Sequence, residues 1–216
     1  MSSAHTTTGP VDTAEVSADG IGGRVVTPTG DIRRLPIVGV MGSSSFAHED
    51  LAVPLGAWLA TLDVHLLTGA GHATMTAVSR AFAAVEDRTG LVIGVCPATD
   101  EDPGRTRPGY PNPWVEVPII THLPLSGPLG TEDRSRNHIN VLSSNVVIAL
   151  PGSDGTSSEL RLAVRYGRPT IAFVNDRSDI LSVPRSVRDT SDLEEVKRFV
   201  LDALEHRERA RTMSAP

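Results

Sequence analysis

The chain has 216 residues, 39% hydrophobic and 21% charged, with a net charge of −6 at pH 7, a length that suits one well-buried domain rather than two joined by a linker. No apolar run approaches a membrane span and no apolar signal core opens the sequence, so a cytoplasmic protein is expected, neither bound to nor spanning a membrane. Its arginines are scattered singly or in pairs, which argues against a nucleic-acid binder that relies on a basic face.

Residues 1–30 are polar, rich in Gly, Thr and Ser, and lack a helical or strand period. They read as a disordered or loosely attached arm. The ordered domain, 31–207, opens with the apolar run Pro36 to Met41 and a tight loop of Gly42, Ser43, Ser44 and Ser45. Leu51, Leu55, Trp58, Leu59 and Leu62 then recur at the spacing of one helix face, with Pro54 expected in or near the first turn. Val64 to Leu67 is a second strand, followed by the loop TGAGHAT. Met75, Val78, Phe82 and Val85 make a second one-sided helix, and Leu91 to Cys96 a third strand.

From Pro97 to Arg136 the chain is rich in Pro and Gly, broken by WVEVPII, a candidate fourth strand. A connection this long is usually a lid or a functional loop. Ile139 and Leu142 suggest a short helix before the central strand Asn145 to Leu150. The loop PGSDGT leads into a helix through Leu160, Ala163 and Val164, stopped by Gly167 and Pro169. Thr170 to Val174 is a further strand. Leu193, Val196, Val200 and Leu204 stripe the last helix, and residues 208–216 read as a charged, frayed tail.

Short buried strands alternating with helices call for a doubly wound, mostly parallel, Rossmann-like α/β sheet with helices on both faces. Ligands of such sheets bind beyond the carboxyl ends of the strands, where strand order reverses. The small-residue loops at 42–45, 69–74 and 151–156 all follow strands directly, so they are expected to meet at one crevice.

The most informative of them is PGSDGTSSE, Pro151 to Glu159, between a strand and a helix. Gly152 and Gly155 let amide groups turn toward an anion, Thr156 adds a hydroxyl, and the helix N-terminus adds partial positive charge, a combination that suits phosphate. A purely structural use competes, in which Thr156 and Glu159 form a capping box. TGAGHAT lacks a full dinucleotide fingerprint, which disfavours a nicotinamide site. Its His72 could touch a ligand, though a lone loop histidine is more often solvated or capping.

Arg136 could clamp a phosphate or carboxylate, although composition alone reads it as a surface arginine. The histidines form no metal-binding cluster. Cys96, the only cysteine, excludes an intramolecular disulfide and, at the end of an apolar run, reads as a buried inert thiol. Lys197, the only lysine, lies in a polar helical stretch far from the glycine loops, which excludes a Walker A site and a pyridoxal enzyme.

The run SRNHINVLSSNVVIALPGSDGTSSEL, with Arg136 fifteen residues before Pro151, resembles the Lonely Guy type of nucleotide 5′-monophosphate phosphoribohydrolase and its relatives, the SLOG superfamily. Those enzymes carry an Arg-Lys pair at this distance before a P-G-G-x-G-T-x-x-E loop. TGAGHATMTAVS is similar to their second Gly-rich loop and VGVMGSSS to their first, so the resemblance covers about residues 36–175. The wording RNxINVLSSxVVIA followed by G-T-x-S-E looks closest to the molybdenum cofactor carrier proteins, which bind a phosphorylated pterin without cleaving it. Arg136, Gly152, Gly155, Thr156 and Glu159 fall on the shared motif, and Gly69 and Met75 on the second loop.

The chain also departs from the hydrolases. Asn137 stands where they have Lys, Ser158 where many have the first of two consecutive Glu, Ser153 and Ala73 replace glycines, and Asp154 adds a carboxylate beside the expected phosphate. N-glycosidic hydrolysis builds positive charge on the ribose, which carboxylates stabilise. Losing one of two carboxylates favours binding.

The resemblance thus implies a binding protein for a phosphorylated small molecule, pterin or nucleotide, with molybdenum cofactor as its possible ligand and no cofactor needed for folding. Its site would comprise Gly42, Ser43, Ser44, Gly69, Gly71, Thr74, Met75, Arg136, Asn137, Gly152, Ser153, Gly155, Thr156 and Glu159. The alternative is a nucleoside 5′-monophosphate phosphoribohydrolase with Glu159 and Arg136 as catalytic groups, and a third reading is nucleotide sensing. A homodimer or homotetramer is implied, and the 97–135 segment is expected to supply the wall that holds the ring.

Overall fold

The computed structural model describes residues 34–213, and from Leu35 on they belong to one unit. The arm expected over residues 1–30 lies outside the described residues. Seven strands form one sheet: β1 (Ile37–Met41), β2 (His65–Thr68), β3 (Val92–Cys96), β4 (Val117–Ile120), β5 (Val146–Ala149), β6 (Thr170–Phe173) and β7 (Arg188–Thr190). Every pairing is parallel, in the order β4-β3-β2-β1-β5-β6-β7. The chain therefore winds outward from β1 in one direction, returns to its other side at β5, and winds outward again. The switch point lies between β1 and β5, where Met41 pairs with Ala149.

Five helices cover the sheet: α1 (Glu49–Leu59), α2 (Thr74–Ala83), α3 (Asn137–Ser143), α4 (Asp154–Arg165) and α5 (Leu193–Met213). The strands read as unbroken apolar runs because both their faces are buried. In β5 and its extension, Val146, Ile148 and Leu150 join the layer that holds Leu55, Val78, Phe82 and Val196 from α1, α2 and α5. Val147, between them, points to the other layer, with Val141 of α3 and Leu162 of α4. Helix α4 ends where expected, with Gly167 in the left-handed region at φ 62°.

Four features differ from the sequence reading. Pro54 is the sixth residue of α1, beyond its first turn; the carbonyl it leaves unbonded belongs to Asp50, which faces water. WVEVPII pairs only over its last four residues, and Pro118 is tolerated because β4 is an edge strand. The edge strand β7 has the sequence RDT and no apolar signal. Helix α5 runs to Met213, past the expected boundary at 207, with Glu205 paired to Arg209 one turn on. Among the described residues no helix is long and apolar enough to cross a membrane, and no group of three or more His, Cys, Asp or Glu could hold a metal ion.

Candidate functional site

The three small-residue loops converge at the carboxyl end of the sheet around a cleft of about 220 Å3. Gly42, Ser43 and Ser44 line it from the β1 loop, Gly69 and Met75 from the β2 loop and α2, Arg136 and Asn137 from the start of α3, and Ser153, Gly155, Thr156 and Glu159 from the β5 loop and α4. The cleft thus straddles the switch point, as expected for this topology.

The first intrahelical bond of α4 runs from the Ser157 amide to the Ser153 carbonyl at 3.0 Å. The amides of Asp154, Gly155 and Thr156 precede it and have no partner along the helix. A Cβ on Gly155 would meet nothing within 4 Å, so open space lies beside Gly155, which lines the cleft. The capping box is not formed. Thr156 is the third residue of the helix and Glu159 the sixth, and no side chain caps it.

Arg136 is buried, at 6% exposure, and not a surface residue. Its guanidinium lies against Gly69: a Cβ there would come within 2.6 and 2.7 Å of its terminal nitrogens. Gly69 is therefore a glycine because the arginine occupies the space a side chain would take. Arg136 Nε and Nη1, Asn137 Nδ2 and Asn140 Oδ1 are four of the seven buried side-chain polar atoms without a hydrogen-bond partner among the described residues. Leaving such a group unpaired costs roughly 1–3 kcal/mol, more for a charge. Their concentration beside one cleft marks it as built for a polar guest.

Glu159 accepts a hydrogen bond from Asn140 Nδ2 at 2.8 Å through one carboxylate oxygen. Burial raises its pKa, outweighing the opposing pull of the Arg136 charge and the Asn140 hydrogen bond. Burial thus penalises the charged form of the carboxylate that stands beside the Arg136 cation. Cys96 is fully buried, and burial raises its thiol pKa against the pull of Arg136, which agrees with an inert thiol.

Three expected site residues lie behind the lining. The Gly152 amide donates to the Asp179 carbonyl at 3.0 Å and so is not free for an anion. Gly152 owes its identity to packing, since a Cβ would lie 2.1 Å from Thr156 Oγ1. Thr74 is buried, with its hydroxyl donating to the Phe46 carbonyl at 2.7 Å. The Gly71 carbonyl accepts from Asn112 Nδ2 at 3.0 Å and Thr76 Oγ1 at 3.1 Å. His72 does not line the cleft; its ring fills the space beside Gly109 and meets the Tyr110 ring edge-on.

The opposite wall comes from the long connection, as expected, through Arg107, Tyr110, Ser126 and Gly127. Nothing in the sequence marks these four, because the segment has no period and its contacts are distant in the chain. Met41, the last residue of β1, completes the lining. Arg107 fastens this wall by donating to the Ala98 and Pro124 carbonyls and to Ser126 Oγ. Ser158 ties it to α4, its hydroxyl donating to the Gly127 carbonyl at 2.9 Å.

No protein of curated function matches the chain. Among solved structures it is similar to the molybdenum cofactor binding protein from the phototrophic bacterium Rippkaea orientalis. That similarity is 32% identity over 68% of this chain and 80% of that one, with a TM-score of 0.53. It is also similar to the Moco carrier protein from Chlamydomonas reinhardtii, at 26% identity over 80% of this chain and 99% of that one, with a TM-score of 0.59. The model of the SLOG cluster4 family matches residues 35–200, the whole sheet and the site. The chain belongs to the SLOG cluster4 family.

Proposed function

We propose that this protein binds the molybdenum cofactor, or its pterin precursor, through the phosphate and holds it for storage or transfer without cleaving it. The phosphate sits at the amides of Asp154 to Thr156, where the N-terminus of α4 adds partial positive charge and open space faces Gly155. Arg136 donates its unpartnered N–H groups to the ligand. A cleft of about 220 Å3 is smaller than the ~300–1,000 Å3 that encloses a drug-sized ligand. It therefore takes the phosphate end, with the ring against the 97–135 wall.

Ser158 carries the choice between binding and hydrolysis. At the position where many of the hydrolases have a second carboxylate, this chain uses a buried hydroxyl to hold Gly127. The remaining carboxylate, Glu159, is buried and tied to Asn140, so stabilisation of a developing cation would rest on this one group. The structural neighbours are named for binding or carrying the molybdenum cofactor, which agrees with this reading. It carries with it a cytoplasmic homodimer or homotetramer, whose mass light scattering measures directly.

The test is a chromatographic base-release assay on AMP and related monophosphates, with Glu159→Ala as control, alongside calorimetric titration with molybdopterin. Binding of molybdopterin with the monophosphates left intact is expected. Base release that disappears in Glu159→Ala would instead establish a phosphoribohydrolase.

A further inference from the structure

The sheet-side lining of the cleft offers glycines, serines, a threonine, an asparagine, charged groups and the two methionines Met41 and Met75. Among the described residues, Tyr110 is the only aromatic ring in the lining, and it belongs to the connection. That ring is held in place from several directions. The Asn112 amide donates to the Ala70 carbonyl at 2.8 Å and its side chain to the Gly71 carbonyl at 3.0 Å, which stitches the connection to the second glycine loop. Just before Tyr110, Gly109 has φ +82°, with the His72 ring where a side chain would be. Tyr110 meets that imidazole at 5.8 Å between centroids.

Gly71 explains what this arrangement protects. A Cβ there would lie 2.8 Å from both Tyr110 Oη and Met75 Cε, so the missing side chain lets the tyrosine of one wall approach the methionine of the other. A tyrosine has few torsions to freeze and a flat apolar body. Methionine beside it is polarizable and adapts to a ring's outline. No hydrogen bond engages Tyr110 Oη among the described residues, so the hydroxyl is not what fixes the ring.

We infer that Tyr110, with Met75 near it beside Gly71, is the platform for the ring of the phosphorylated ligand, which makes Tyr110 a specificity-determining residue. This rests on the phosphate seat proposed at α4. The phosphate fixes one end of the molecule, and the ring's contact with Tyr110 separates it from phosphorylated molecules that lack a ring.

Two pairs of probes test it by equilibrium titration: neopterin monophosphate against inorganic phosphate, and AMP against ribose 5-phosphate. In the wild type at least one ring-bearing probe binds more tightly than its ringless counterpart. Tyr110→Ala removes about tenfold of that preference, as stacking on an aromatic side chain supplies. It leaves the affinity for the ringless probe within twofold, and Tyr110→Phe retains the preference. Equal loss for ring-bearing and ringless probes in Tyr110→Ala overturns the inference. So does a wild type that binds ringless phosphates as tightly as ring-bearing ones, which leaves the phosphate seat standing. Binding of none of the four overturns the phosphate seat and the platform together.

Discussion

The two walls of the cleft are built on different physical terms. The sheet-side wall is fixed by backbone: strand tips, glycines whose Cβ positions are already filled, and the first amides of α4. The wall from the 97–135 connection is fixed by side chains, with Arg107 fastening it to itself and Ser158 and Asn112 tying it to the sheet side. Backbone donors at a helix end recognise phosphate whatever it is attached to. Side chains on a long connection can change without disturbing the sheet. On the proposed function, the first wall sets the chemistry of the ligand and the second selects the molecule.

The largest expected effect falls on the sheet side. Arg136→Met removes a buried cation whose Nε and Nη1 have no hydrogen-bond partner among the described residues. Molybdopterin affinity should fall roughly 100-fold, within the ~2–5 kcal/mol that loss of a buried charged partner costs. The unliganded fold should be as stable as the wild type or more so, because a buried unpaired charge is itself costly. Calorimetry and thermal unfolding on the same sample read both quantities. A parallel loss of stability would make Arg136 a structural residue.

Gly69→Ala approaches the same site without touching a charge. The atoms nearest to the new methyl group belong to the end of the Arg136 side chain, which can move, so the fold should survive while affinity drops about tenfold, near the low end of the ~1.5–3 kcal/mol of a hydrogen bond to a charged group. Full affinity in Gly69→Ala would contradict the fixed position assigned to the guanidinium.

On the other wall, Arg107→Ala removes hydrogen bonds to Ala98, Pro124 and Ser126. Global stability should drop by about 1–2 kcal/mol or less, since each such bond contributes ~0.5–1.5 kcal/mol and the side chain is partly exposed. Hydrogen exchange should quicken selectively within 97–126. Discrimination between ring-bearing and ringless phosphates should suffer more than phosphate affinity, and equal losses in both would merge the two walls into one.

The smallest effect is a pH dependence. Glu159 has its pKa raised by burial in the folded state, so its favourable contribution to stability is complete below the ordinary carboxylate value of ~4.3 and is lost as pH rises through the folded-state value. Glu159→Gln removes that loss. The variant should gain in melting temperature over the wild type at pH 8, and the gain should shrink toward pH 4.5. A difference that does not vary with pH would mean that Glu159 does not titrate with folding.

The unequal legibility of the two walls follows from the same contrast. Apolar runs ending directly in Gly and Ser loops mark strands whose carboxyl ends face a ligand, so β1, β2, β5 and their loops could be read in one dimension. Gly152 and Gly71 were legible as glycines and not in their use, because their neighbours Thr156 and Tyr110 become visible only in three dimensions. Arg107 and Tyr110 sit in a Pro- and Gly-rich stretch where no period separates inward from outward residues. Strand β7 carries charges on a sheet edge and offers no hydrophobic signal. Arg136 looked like a surface arginine by composition, and its burial follows from the absent side chain of Gly69, far away in sequence.

Binding without chemistry is tested most directly by mixing the protein with molybdenum cofactor, separating the complex by gel filtration, and quantifying the pterin and its phosphate in the protein peak. About one intact, still phosphorylated pterin per chain is expected in the wild type and little in Arg136→Met. A wild-type peak without pterin, or pterin recovered cleaved or dephosphorylated, would contradict it.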